Sequence, residues 1–163
     1  MSDRLIENAK ATVRSALQEC DSHVAKMEEA SSSLAASFPL TEAGLKNLPP
    51  EAGARLDQFL YRFTKLQDSV AMRLLPALDR ITRADDSPRP CLDMLADLEK
   101  LGIAPPDLDW QFFRNLGGNL AHDYPESLEQ TVATINLLHD EWRRFAAILI
   151  RAKAFIGRLE SQA

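Results

Sequence analysis

Residues 3–36 contain neither proline nor glycine, and their apolar positions return every three or four residues: Leu5, Ala9, Val13, Ala16, Leu17, Cys20, Val24 and Met27. A run this long with that period can bury one face only as a helix. The same period governs residues 51–82, where Leu56, Phe59, Leu60, Phe63, Leu66, Val70, Leu74, Leu78 and Ile81 share a face. It returns from Pro125 to about residue 160 through Leu128, Val132, Ile135, Leu138, Trp142, Phe145, Leu149 and Ile156. No segment alternates with period two, so the fold class expected is all-α.

Breaks divide the remainder. Pro49, Pro50 and Gly53 mark a turn after a short helix over 41–47. Residues 83–90 read as a loop, Pro90 opens a short helix and Gly102 closes it. Asp107 or Asp109 can cap the next helix, which carries Trp110, Phe113 and Leu116 and ends near Asp123, because Pro125 takes Tyr124 out of helical dihedrals. Three long helices and two shorter ones joined by short loops predict an antiparallel bundle. The 163 residues read as one domain, 1–163, or at most a domain with an appendage, and are enough for a real core.

The formal net charge of −5 argues against a generally basic nucleic-acid binder, although it leaves room for a local basic cleft. Cys20 and Cys91 match no metal spacing and read as buried or half-buried thiols of a reducing compartment. The polar start MSDRLIENAK is unlike a secretory signal, and no apolar run reaches membrane-spanning length, so a cytoplasmic protein without a membrane partner is expected. The chain lacks a P-loop, a dinucleotide glycine fingerprint, a Cys-x-x-Cys pair and a His-Glu-x-x-His motif, and no cofactor or metal is expected.

Chemistry concentrates in LGGNLAHDYP, residues 116–125. His23 and His139 stand alone on long helices beside acidic residues and read as solvated or capping groups. His122 differs: near a helix end, with Arg114, Asp123 and Tyr124 as polar neighbours, its pKa can be tuned towards neutrality. A structural role for it is the alternative. Gly117 and Gly118 sit inside an otherwise helical stretch, where two glycines cost about 2 kcal/mol relative to alanine. Either a bulge or a close helix approach requires them, or they replace other residues, by natural decay or by deliberate substitution.

The segment NLAHDYP resembles the signature of the HEPN superfamily, the higher eukaryote and prokaryote nucleotide-binding helical bundles. The likeness is nearest to HEPN toxins paired with minimal nucleotidyltransferase antitoxins. Residues 55–70, RLDQFLYRFTKLQDSV, resemble a helix of the same group, and the helix order and the late position of the motif agree with it. In that family an arginine precedes the motif histidine by about five residues, usually followed by asparagine. Laid onto this chain, His122 is the motif histidine and Tyr124 the motif tyrosine, while Gly117 stands at the arginine position and Gly118 at the asparagine position.

The resemblance implies a metal-independent endoribonuclease whose composite site forms between two protomers of a homodimer. In such a reaction a base deprotonates an RNA 2′-hydroxyl, an acid protonates the leaving 5′-oxygen, and a histidine near neutrality serves either role. Arginine suits the phosphorane because its planar fork donates two hydrogen bonds. With glycine at 117, weak or absent nuclease activity is expected. Arg114 could substitute from the partner chain; within its own chain it lies ~12 Å along the helix axis and ~80° round from His122. Arg62 and Lys65 are candidates for RNA phosphate contacts or simply solvated charges, and Asp68 and Asp123 would repel RNA unless they orient His122. The resemblance further implies Tyr124 as a target for AMP transfer by a nucleotidyltransferase antitoxin; helix-end packing against Pro125 is the other reading. A non-catalytic, substrate-binding-like partner subunit of a nucleotidyltransferase is the alternative function, and a purely structural helical assembly the third.

Overall fold

A computed structural model describes residues 2–121 and 127–162. Among them the chain is helical without a strand: α1 (Ser2–Ser33), α2 (Glu42–Lys46), α3 (Pro50–Ser69), α4 (Leu75–Arg83), α5 (Cys91–Lys100), α6 (Asp107–Ala121) and α7 (Leu128–Ser161). The all-α expectation holds. The shorter helices number three rather than two, namely α2, α5 and α6.

Local chemistry explains the boundaries. Thr41 caps α2 by accepting a hydrogen bond from the Gly44 amide at 2.9 Å. α3 and α4 form one rod interrupted by a π-helical turn over Val70–Leu74. Pro76 has no amide hydrogen to give the Met72 carbonyl, and its ring crowds that carbonyl, so the turn before it widens. The Leu75 amide then bonds to the Val70 carbonyl, five residues back. Gly102, at φ 76°, closes α5 while the Ile103 amide reaches the Leu98 carbonyl at 2.9 Å.

Three expected boundaries shift. The first helix stops at Ser33 and a short 3-10 turn follows over Ala35–Ser37. Asp107 and Asp109 lie inside the first turn of α6 instead of before it, where their charge suits the helix N-terminus. α7 begins at Leu128, because the Ser127 hydroxyl accepts from the Gln130 amide at 3.0 Å; Pro125, expected to open it, lies outside the described residues.

Polar rungs fix the directions of the long helices. Along α1, Glu29, His23, Glu19 and Ser15 meet Arg55, Arg62, Ser69 and Arg73 in turn, so α1 runs antiparallel to α3. On its other side Ser31, Glu28, Asp21 and Arg14 meet His139, Arg143, Lys153 and Glu160, so α7 is antiparallel to α1 as well. α3 and α7 are consequently parallel, with Phe59 edge-on to Trp142 and Phe63 edge-on to Phe145. The long return through α5 and α6 makes this possible, so the expected antiparallel order fails for α3 with α7 but holds for each of them with α1, and for α6 with α7, where Ile103 meets Arg151 and Asp109 meets Arg144.

The main core gathers Val13, Leu17 and Met27 of α1 with Phe59, Phe63, Leu66, Leu78, Phe113, Trp142 and Phe145. A second cluster at one end joins Leu34, Leu40 and Leu56 to Val132 and Ile135. Asn136 clamps it: its side-chain oxygen accepts from the Leu40 amide at 2.7 Å and its nitrogen donates to the Leu40 carbonyl at 2.9 Å.

Candidate functional site on helix α6

α6 presents two faces. Trp110, Phe113, Leu116 and Gly117 are buried, while Arg114, Asn115, Gly118 and Asn119 are exposed. Phe145 of α7 holds the inner face, with its ring centroid 5.3 Å from Phe113 and 6.1 Å from Trp110. The Arg144 guanidinium lies 5.0 Å from the Phe113 centroid and pairs with Asp109 at 3.0 Å. These contacts set the orientation of the helix whose end leads into residues 122–124.

His122, Asp123 and Tyr124 lie outside the described residues. The positions upstream of them are defined, and the two glycines differ. Gly118 is exposed, with nothing within 4 Å of where a Cβ would stand. Gly117 is buried against α3: a Cβ there would overlap Gln67 Oε1 and sit 3.0 Å from Gln67 Cδ. The Gln67 side-chain amide donates to the Phe113 carbonyl, one turn before Gly117. At Gly117 the close neighbour is the end of the Gln67 side chain and no backbone of α3, and at Gly118 nothing lies within 4 Å, so close packing bears on the first glycine and gives no reason for the second.

Arg114 is exposed on α6 and shares its outer face with Gly118, four residues on. Arg62 and Lys65 belong elsewhere. Arg62 Nη1 donates to His23 Nδ1 on α1 at 3.1 Å, and its buried Nε has no hydrogen-bond partner among the described residues. Lys65 is exposed, with its ammonium 5.5 Å from the Tyr61 centroid. Arg62 and Gln67 are five residues apart, a rotation of ~140° on a helix, so α3 turns Arg62 towards α1 and Gln67 towards α6. The fold brings Gln67 to Gly117 and commits Arg62 to a different seam.

The remaining histidines depart from expectation. His23 is buried rather than solvated, and its ring accepts from Arg62 through Nδ1, which leaves the proton on Nε2. Burial lowers its pKa, the Arg62 charge adds to that, and Glu19 opposes it. His139 is half-buried, stacked on Phe38 at 3.7 Å between centroids and 3.3 Å from the Ser31 hydroxyl; burial lowers its pKa against the pull of Asp140. Cys20 is buried, which pushes its thiol up to about 12, whereas Cys91 is exposed and not even half-buried as expected.

Sequence reading missed Gln67 and Asp79. Gln67 follows Phe63 by four residues and Leu66 by one, on the core-facing stripe, and is 3% exposed. Asp79 is also 3% exposed, between Leu78 and Ile81, and accepts from Arg83 and Arg89. The usable signal was phase: a polar residue on an apolar stripe must find a partner, and His23 and His139 lie on their stripes in the same way.

Two cavities of about 340 Å³ lie away from the end of α6, one beside Arg151 and the α5–α6 turn, the other beside Asp79 and Arg89. Among the described residues no group of three or more His, Cys, Asp or Glu side chains could hold a metal ion, and no helix is long and apolar enough to cross a membrane. No protein-family model, curated protein or solved structure gives a significant match to the chain.

Proposed function

We propose that this chain is a HEPN-like toxin, a metal-independent endoribonuclease with a composite site at a homodimer interface, in which the glycines at 117 and 118 leave catalysis weak or absent. The carrying observation is the stretch Leu120-Ala121-His122-Asp123-Tyr124-Pro125, which continues from α6 and precedes the long helix α7. The all-α architecture supports the reading, and a HEPN-like arrangement of the helices is part of the proposal. His122 from each protomer supplies proton transfer at the 2′-hydroxyl and the leaving 5′-oxygen. Position 117 lacks the guanidinium that would stabilise the phosphorane, and the exposed Arg114 is the nearest cation on the same helix. A minimal nucleotidyltransferase is the proposed antitoxin partner. AMP transfer to Tyr124 would place negative charge where RNA phosphates bind and weaken binding.

The test restores the missing pair. Gly117→Arg with Gly118→Asn is expressed as such and again with Gln67→Ala, which empties the space beside position 117. Growth inhibition and RNA cleavage in at least one background, abolished by His122→Ala, are expected. If both restored proteins are harmless at high expression, the nuclease reading fails.

The burial of Gly117 against Gln67 favours a second reading, a non-catalytic helical partner of a nucleotidyltransferase that has no use for an arginine at 117. It predicts co-purification with such a partner that survives His122→Ala.

A further inference from the structure

We propose that Gln67 is a positioning residue that locks α6 against α3, and that this lock exists only because residue 117 has no side chain. The proposal rests on the reading that residues 122–124, downstream of the lock, carry the chemistry. Three observations support it. Gln67 is 3% exposed, yet it is a primary amide with two donors and an acceptor to satisfy. It finds a partner across the interface, donating to the Phe113 carbonyl of α6. One turn later the Gly117 backbone comes so near that any Cβ would overlap the Gln67 carboxamide.

The side chain thus lies along the α6 backbone from Phe113 to Gly117 and fixes two things together. A hydrogen bond sets how far α6 has slid along α3, since it reaches one carbonyl. The steric fit at Gly117 sets which face α6 turns to α3, since no other residue of that turn lacks a Cβ on the buried side. Gly118 is exposed and plays no part. Both settings pass to the turn that leads into His122 and Tyr124. The lock also has a consequence for position 117: Gln67 already fills the space into which an arginine stem would grow.

The test is a double-substitution cycle read by thermal unfolding of the full chain. Alanine normally improves a helix interior over glycine, an effect expected to raise the midpoint by about 2–4 °C for a protein of this size. Gly118→Ala should therefore raise it with Gln67 present or replaced. Gly117→Ala should lower it with Gln67 present and raise it in the Gln67→Ala background. Gln67→Met, which keeps the bulk and loses the hydrogen bond, should leave Gly117→Ala destabilising while the amides of residues 114–120 lose exchange protection. If Gly117→Ala is stabilising in both backgrounds, the lock is overturned.

Activity is read separately. Gly117→Arg/Gly118→Asn should cleave RNA at least tenfold faster with Gln67→Ala than with Gln67. A reversed sign in the thermal cycle with no cleavage in either background sinks the nuclease reading and leaves the lock standing. Equal cleavage in both backgrounds overturns the steric half of the lock.

Discussion

His23 shows how one side chain links the packing of two helices to pH. Its ring sits in the α1–α3 seam with Arg62 on Nδ1, Glu19 3.8 Å from Nε2 and Lys65 farther along α3. Burial and the two cations hold its pKa below the ordinary 6.5, and Glu19 only partly offsets them. His139, facing Asp140 and Arg143, is shifted the same way. A folded pKa below the unfolded one means that the unfolded chain binds more protons once pH falls below 6.5. Stability is then fully present above that pH and declines as pH falls through the lowered folded values. Glu19, whose pKa is lowered chiefly by the Ser69 hydroxyl, acts in the same sense only below its ordinary 4.5, outside the histidine window. Urea midpoints compared at about pH 7.5 and about pH 5.5 should fall with acid. His23→Gln should shrink the difference, and adding His139→Gln should nearly remove it. An undiminished difference in the double variant would show that other groups carry the titration.

Elements depend on their joints, and the α4–α5 joint is tied at one carboxylate. Asp79 accepts from Arg83 Nε at 3.0 Å and Arg89 Nε at 3.2 Å, while Arg89 Nη1 reaches Asp97 of α5 at 2.7 Å. Arg83 also donates to the Ser87 carbonyl at 2.9 Å, which folds residues 84–90 back over the end of α4. Asp79→Asn keeps the shape but strands two guanidinium groups. Their side chains are 22% and 19% exposed and can turn to water, so the loss should be smaller than for a fully buried pair. Chemical denaturation should read that loss, and limited proteolysis should show faster cutting within 84–90. Ala84 sits at φ 52° in the left-handed region, so Ala84→Gly should have the opposite sign, a gain of about 0.5–1 kcal/mol. The helices around this joint were legible because their stripes, Pro90 and Gly102 carry local rules. The tie was not, because Asp79 reads as an ordinary charge until its place between Leu78 and Ile81 is taken as a core position. The π turn was missed: residues 51–82 read as one unbroken helix despite Pro76, because the stripe continues through Val70, Leu74 and Leu78 and the widened turn absorbs the missing hydrogen bond without turning that face from the core.

At the scale of the whole molecule, helical period says which face of each helix is inward and nothing about which neighbour it meets or in which direction. That is why α3 and α7 could be read as helices but not as a parallel pair. The rungs that set their direction, such as Glu28 with Arg143 and Asp21 with Lys153, are pairs of common surface residues far apart in sequence. The site has the same limit: residue types single out 116–125, whereas the burial of Gly117 against Gln67 depends on how α6 crosses α3. α6 is held from the other side mainly by Phe145, which meets Phe63, Phe113 and Trp110. Trp142, one turn earlier on α7, meets Phe59 of α3 instead. The two aromatics therefore support different parts of the molecule. Phe145→Ala should cost about 3–5 kcal/mol and free α6 preferentially, so amides of residues 113–120 should lose hydrogen-exchange protection before those of α1. Trp142→Leu removes comparable bulk from the α3–α7 seam and should lower global stability while leaving α6 no more exposed than the rest. If both variants give the same pattern of protection, α6 opens only with the whole fold, and the helix leading to His122 has no independent freedom to close on a substrate or a partner.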